Sequence, residues 1–129
     1  MGKVAISTEN APKPPAAFAQ ASRKGNILQV AGQVAFDAAT GAIVGETVAE
    51  QTRQTFKNVE AILEAAGASF DDVVMVRVYL TDTGHFAELN ETYNSLTALK
   101  EPYPARTTVY VGLPAGLLIE VDVLAVLGD

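Results

Sequence analysis

Residues 117–127 read Leu-Leu-Ile-Glu-Val-Asp-Val-Leu-Ala-Val-Leu, and their character alternates. In a strand, successive side chains point to opposite faces. Leu117, Ile119, Val121, Val123, Ala125 and Leu127 therefore share one wholly aliphatic face. Leu118, Glu120, Asp122, Leu124 and Val126 share the other. The aliphatic face belongs in a core beneath helices. The second face is too apolar for free solvent and too polar for a dry core. A subunit interface with a polar cleft fits that mixture.

The helices to cover the first face are present. Thr47 followed three residues later by Glu50 is a capping box. From there Val48, Thr52, Phe56, Val59, Ile62, Leu63 and Ala66 recur at helical spacing, and Gly67 stands where a C-terminal cap belongs. A second helix opens at Asp82 or Thr83 and carries the stripe Phe86, Leu89, Tyr93 and Leu96. Pro102 and Pro104 are expected to stop it. Residues 73–80, Val-Val-Met-Val-Arg-Val-Tyr-Leu, read as a strand between the helices. "KVAIS" near the start is a short strand, and residues 18–36 form a hairpin turning at Lys24-Gly25-Asn26. Gly32 interrupts the second hairpin strand, as at a bulge or a close backbone approach. "APKPPAAF", residues 11–18, is an extended connector. "TTVYV" and "LLIEVDVLAVL" are the last strands. The order strands, helix, strand, helix, strands gives an α+β two-layer sandwich, with two helices on one face of the sheet.

The chain has 129 residues, which predicts one domain over residues 1–129. With 49% hydrophobic and 19% charged residues, it has material for a core and no mark of global disorder. A domain of this size buries a limited fraction of its surface, so apolar excess favours oligomerisation. The net charge of −6 and the scattered basic residues disfavour a nucleic-acid partner. No cysteine is present, which removes disulfides, thiolate chemistry and Cys-based metal sites. "MGKVAISTEN" lacks the apolar core of a signal peptide, and no apolar run approaches membrane-helix length. A soluble, cytoplasmic protein with no membrane partner is the expectation.

His85 is the single histidine, and it reads as a surface or helix-start residue. A Ser-His-Asp triad would depend on it alone. No H-x-x-x-H or H-E-x-x-H spacing signals a metal, and no Gly-rich phosphate loop occurs. Arg106, Thr108, Glu120 and Asp122 remain. Arg106 and Thr108 share a face of their strand. A guanidinium can grip a carboxylate bidentately, and a carboxylate such as Glu120 can orient a water and shuttle its proton. Equally, Arg106 and Glu120 could form an ion pair stapling two strands. Spacing leaves the two readings level. Asp122 reads as an interface or solvated residue.

"PARTTVYVGLP" followed by "LLIEVDVLAV" resembles the signature of the RidA/YjgF family of imine/enamine deaminases. "STENAPKPPAAFAQA", "VAGQVAFDAATGAIV", "QTRQTFKNVEAILEAAGASFDDVVMVRVYLTD" and "FAELNETY" agree, so the resemblance covers nearly the whole chain. It implies a chorismate-mutase-like protomer with a mixed sheet, and a homotrimer with its sites in interfacial clefts. It also implies roles. Arg106 would clamp a substrate carboxylate and Glu120 would position the attacking water. Gly32 would line the cleft at close approach, and Asn90 would lie near the site. The implied substrates are 2-aminoacrylate and related 2-imino acids (2-iminopropanoate among them) released by pyridoxal-phosphate enzymes. They would be hydrolysed to 2-oxo acids and ammonia with no cofactor and no metal.

Three departures stand out. Phe18 occupies the place of a tyrosine in the family's best-studied members, which makes the substrate-binding cleft drier. Thr108 replaces a cysteine and still offers a hydroxyl. The stretch from Arg106 to the Leu-Pro turn is one residue shorter. Tyr110 shares the Arg106 face and offers a further hydroxyl. Two other classes stand beside the hydrolase. One is a non-catalytic module sensing 2-oxo acids through Arg106, and the other is an endoribonuclease, which the acidic charge disfavours.

Overall fold

The computed structural model describes residues 2–128. Thr47 accepts the Glu50 amide at 3.1 Å while the Glu50 carboxylate accepts the Thr47 amide at 3.2 Å, so the capping box forms as read. It opens helix α1, Val48–Ala65. Val59, Ile62 and Leu63 are completely buried, and Val48 and Phe56 nearly so. Each such side chain contributes about 1.5–3 kcal/mol over its exposed state, which anchors the helix to the sheet. The chain leaves through Gly67 at φ +75°, a left-handed backbone that glycine adopts without strain.

The strands are β1 (Val4–Ile6), β2 (Ala21–Lys24), β3 (Ile27–Gln33), β4 (Val73–Leu80), β5 (Ala105–Tyr110) and β6 (Ile119–Val126). They form one sheet in the order β1-β2-β3-β6-β4-β5. The β4–β5 pair is parallel and the other pairs are antiparallel, so the sheet is mixed. β6 lies in the middle. Its odd-numbered residues Ile119, Val121, Val123 and Ala125 are fully buried with Leu28, Val30, Val76, Val78 and Leu80 under the helices. Glu120, Asp122, Leu124 and Val126 on its other face are only partly buried. The alternation read from the sequence is therefore the division between the two faces of the sheet.

The second helix differs from its expected extent. Asp82 caps a 3-10 turn, Thr83–His85, and α2 runs Phe86–Ser95. It ends well before Pro102. Asn94, Ser95 and Thr97 are poor helix formers. The Ser95 hydroxyl also donates to the Thr92 carbonyl at 2.6 Å, competing with the helical ladder. Leu89 and Tyr93 are buried as the stripe required, whereas Phe86 is 40% exposed.

Buried amides set the loops. Gln20 accepts the Thr8 amide at 2.7 Å and donates to Thr8, Ala11 and Pro12 carbonyls, pinning the Pro-rich connector across the sheet end. Asn58 on α1 donates to the carbonyls of Val34 and Phe36, at 3.0 and 2.9 Å. Gln51 accepts the Leu118 amide and donates to Gly116 and Gly45, tying α1 to the turn that enters β6. Because Leu63 joins this fully buried layer, Leu63→Ala is expected to lower the unfolding free energy by about 2–5 kcal/mol in chemical denaturation.

Candidate functional site

Between β3 and β6 the register shifts. Val30 pairs with Val123 and Gln33 with Val121, so three steps on β3 oppose two on β6. The bulge falls at Ala31–Gly32, where the sequence placed an interruption. A Cβ on Gly32 would overlap the Glu120 carboxylate. The absent side chain is thus what lets Glu120 stand against the β3 backbone. Gly32 and Glu120 line a cleft of about 610 Å³, walled by Pro14, Pro15, Phe18 and Leu117. Phe18 sits on the connector held by Gln20 and is half exposed. Phe18, Gly32 and Glu120 are therefore brought together.

Arg106 is elsewhere. Residues paired across strands project to the same face. Arg106 pairs with Val76 and Thr108 with Val78, both buried under the helices. Glu120 pairs with Tyr79 on the opposite face. β4 also separates β5 from β6. Within the chain Arg106 and Glu120 lie on opposite faces, and the strand-stapling ion pair does not form. The Arg106 guanidinium instead donates to Asn90 Oδ1 at 2.6 Å. Its carbon lies 4.7 Å from the Tyr93 ring centroid and 5.8 Å from that of Phe86. Stacking and one side-chain acceptor orient the fork and leave donors for a ligand. Arg106, Tyr93 and Tyr103 border a hollow of about 290 Å³ at the edge of the sheet. Thr108 Oγ1 on β5, Tyr93 Oη on α2 and His85 Nδ1 in the turn before it are buried with no protein partner. Burial, against the opposing Arg106 charge, raises the Tyr93 phenol's pKa. Tyr110 shares the Arg106 face and is exposed at the edge.

The sequence reading missed the setting of Asp122. Its Oδ1 pairs with Arg77 Nη1 and accepts from Gln29 Nε2 at 3.1 Å, and its Oδ2 accepts from the Tyr79 hydroxyl at 2.7 Å. This is the one ion pair among the described residues. Alternation in "VVMVRVYL" puts Arg77 and Tyr79 on one face of β4, and the pairing of Arg77 with Asp122 and Tyr79 with Glu120 makes it the face of the two acids. The hydrogen bond to Asp122, burial and nearby charge raise the Tyr79 pKa, keeping it a neutral donor.

Glu120 itself accepts no hydrogen bond among the described residues. Burial first, and the Asp122 charge second, raise its pKa above the ordinary 4.5. The folded state thus penalises the ionised form. The stability linked to Glu120 is complete below 4.5 and is lost as pH rises through the raised value. Glu120→Gln is therefore expected to raise Tm over the native chain at pH 7. In calorimetry the difference should close as pH falls below 4.5.

Comparison with known proteins gives this geometry a context. The family model described as Endoribonuclease L-PSP matches residues 8–127. The chain is 48% identical to a RutC family protein of Pyrococcus horikoshii over 95% of this chain and 97% of that protein. It is 40% identical to the 2-iminobutanoate/2-iminopropanoate deaminase of Salmonella typhimurium, over 94% of this chain and 95% of that one. The crystal structure of RidA from an Antarctic Psychrobacter superposes with a TM-score of 0.89 at 40% identity, covering 96% of this chain and 99% of that one. Sequence match and fold agree over almost the full length, and the chain belongs to the RidA/YjgF family.

Proposed function

We propose that the protein is a homotrimeric imine/enamine deaminase that hydrolyses reactive 2-imino and 2-enamino acids to 2-oxo acids and ammonia. One observation carries the reading. Glu120 is a half-buried carboxylate without a protein donor, facing a cleft that Gly32 holds open. A carboxyl so placed can hold a water and pass its proton on. The naming of a 40% identical relative as a 2-iminobutanoate/2-iminopropanoate deaminase supports the substrate class.

In this reading a second copy of the chain brings Arg106 to Glu120, since the two lie on opposite faces of one chain. One protomer supplies Glu120, Gly32 and Phe18 and its neighbour supplies Arg106, Asn90 and Thr108. The sheet face opposite the helices carries exposed Ile27 and Val109 beside Glu120 and Asp122, an apolar and polar mixture suited to burial against a copy. Three such contacts closing in a ring give three sites.

In the site, Arg106 grips the substrate carboxylate while Asn90 and Tyr93 fix the guanidinium. Glu120 takes a proton from water as its oxygen bonds to C2. The C=N π electrons move to nitrogen, which receives a proton from Glu120. Glu120 then carries the carbinolamine's hydroxyl proton to the amino nitrogen, and the C–N bond breaks as C–O becomes C=O, releasing ammonia. Phe18 and the prolines form the apolar wall beside the substrate side chain, and Thr108 lies on the Arg106 face with a free hydroxyl. Every step uses protein groups and water alone.

The test is protein-dependent loss of imines generated by an amino-acid oxidase, with release of ammonia, and with semicarbazide as the competing trap. Arg106→Ala removes charge-assisted hydrogen bonds and is expected to lower kcat/KM by about 10- to 100-fold. Glu120→Ala is expected to lower kcat, and Gly32→Ala should do the same with native circular dichroism, because the new methyl displaces only the end of a flexible side chain. Wild-type rates in both Arg106→Ala and Glu120→Ala would overturn the mechanism. Affinity for 2-oxo acids without turnover would identify a sensor instead, and RNA cleavage without imine hydrolysis an endoribonuclease. Light scattering is expected to give three times the 13.5 kDa chain mass. A monomer there would sink the shared site.

A further inference from the structure

Asp122 has no part in the scheme above, yet it is the best-anchored side chain on the exposed face of the sheet. Arg77, Gln29 and Tyr79, from β4 and β3, converge on its two oxygens. Its side chain is 13% exposed. Glu120 stands two residues away on the same face of β6, pairs across the sheet with Tyr79, and lines the same hollow of about 530 Å³. Among the described residues three side chains donate to or pair with Asp122, and none donates to Glu120. The two carboxylates are chemically alike and adjacent, but one is saturated with donors and the other is bare.

We propose that Asp122 is a positioning residue for the deamination, acting through Glu120. Its fixed negative charge disfavours a second charge on Glu120 and so holds that carboxyl ready to carry a proton between the water and the departing nitrogen. This inference rests on the reading of Glu120 as the proton carrier. The asymmetry follows from the donors. Arg77, Gln29 and Tyr79 stabilise charge on Asp122, so repulsion between the two carboxylates is resolved on Glu120. Carriers work best when their proton affinity is matched to the working pH. The burial of Glu120 pushes in the same direction. The other ionisable groups facing Glu120 are Arg77 and Tyr79 from β4, Lys13 from the connector and Asp37 from the following loop across the cleft, and, in the shared site, the neighbour's Arg106, which is present in every variant compared below. β3 offers only Gly32 and the neutral Gln29 and Gln33.

Two variants that break the same ion pair separate this role from a structural one. Asp122→Asn removes the like charge and is expected to move the Glu120 titration down. Arg77→Met removes the cation and is expected to move it up. Carboxyl-¹³C NMR of the full-length protein follows the titration directly, with Glu120→Gln assigning the signal. The acid limb of the imine-hydrolysis pH profile is expected to shift with it in each variant. Loss of the Arg77–Asp122 contact alone would give both variants the same sign. Shifts of one sign, or no shift in either, would overturn the proposal. Should Asp122→Asn fail to fold with Arg77 left uncompensated, the R77M/D122N pair replaces it. Glu120 is then expected to titrate lower in the pair than in R77M. A protein with no imine hydrolysis at any pH would defeat the catalytic reading, while the NMR titration would still decide whether Asp122 governs Glu120.

Discussion

Burial of the odd-numbered side of β6 is the constraint on which the rest depends. Ile119, Val121, Val123 and Ala125 are completely inaccessible, and they can be so only with strands on both sides and helices above. That requirement places β6 in the middle of the sheet. It sets α1 across β3 and β6, and through the geometry of a pleated strand it drives Glu120 and Asp122 to the opposite side. Moving the register by one residue would place both acids in the core. The hydrophobic energy of one face therefore fixes the position of the polar groups on the other.

Around that frame, side-chain amides replace the backbone pairing that irregular segments lack. Gln20, Gln51 and Asn58 are almost fully buried, and each bonds backbone groups of a neighbouring loop. Unmade, such bonds would cost more than the made ones contribute, so these amides hold the loops in defined positions. The connector carrying Phe18, the segment after the Gly32 bulge, and the turn entering β6 are all set in this way. The cleft around Glu120 is thus built from loops with the definition of regular structure.

The exposed sheet face uses charge in two distinct ways. Asp122 is neutralised by a cation and two neutral donors. Glu120, next along the same face, has burial and a like charge for neighbours. On the other side of the sheet Arg106 is positioned by Asn90 and aromatic rings, with no carboxylate opposite it. Among the described residues, an acid and a guanidinium without a salt-bridge partner, both half-buried on opposite faces of a small chain, form a pattern that association of copies can join into one site.

Much of this was legible in the sequence because it rests on local periodicity. The capping box at Thr47 and Glu50, the α1 stripe, the limits of β4, the Gly32 bulge and the two faces of β6 all follow from spacing and residue type. The end of α2 was misplaced because the prolines were weighed above the run of weak helix formers before them. The residues at the candidate site were visible singly, with the family resemblance supplying roles that spacing could not. Which of them meet was decided by tertiary structure. Strand order interposes β4 between Arg106 and Glu120, and pairing register puts them on opposite faces. The same register joins Arg77 and Tyr79 to Asp122, more than 40 positions along the chain. Alternation along one strand says which residues share a face. Only the order and register of the strands, set by how the whole core packs, say which faces are the same.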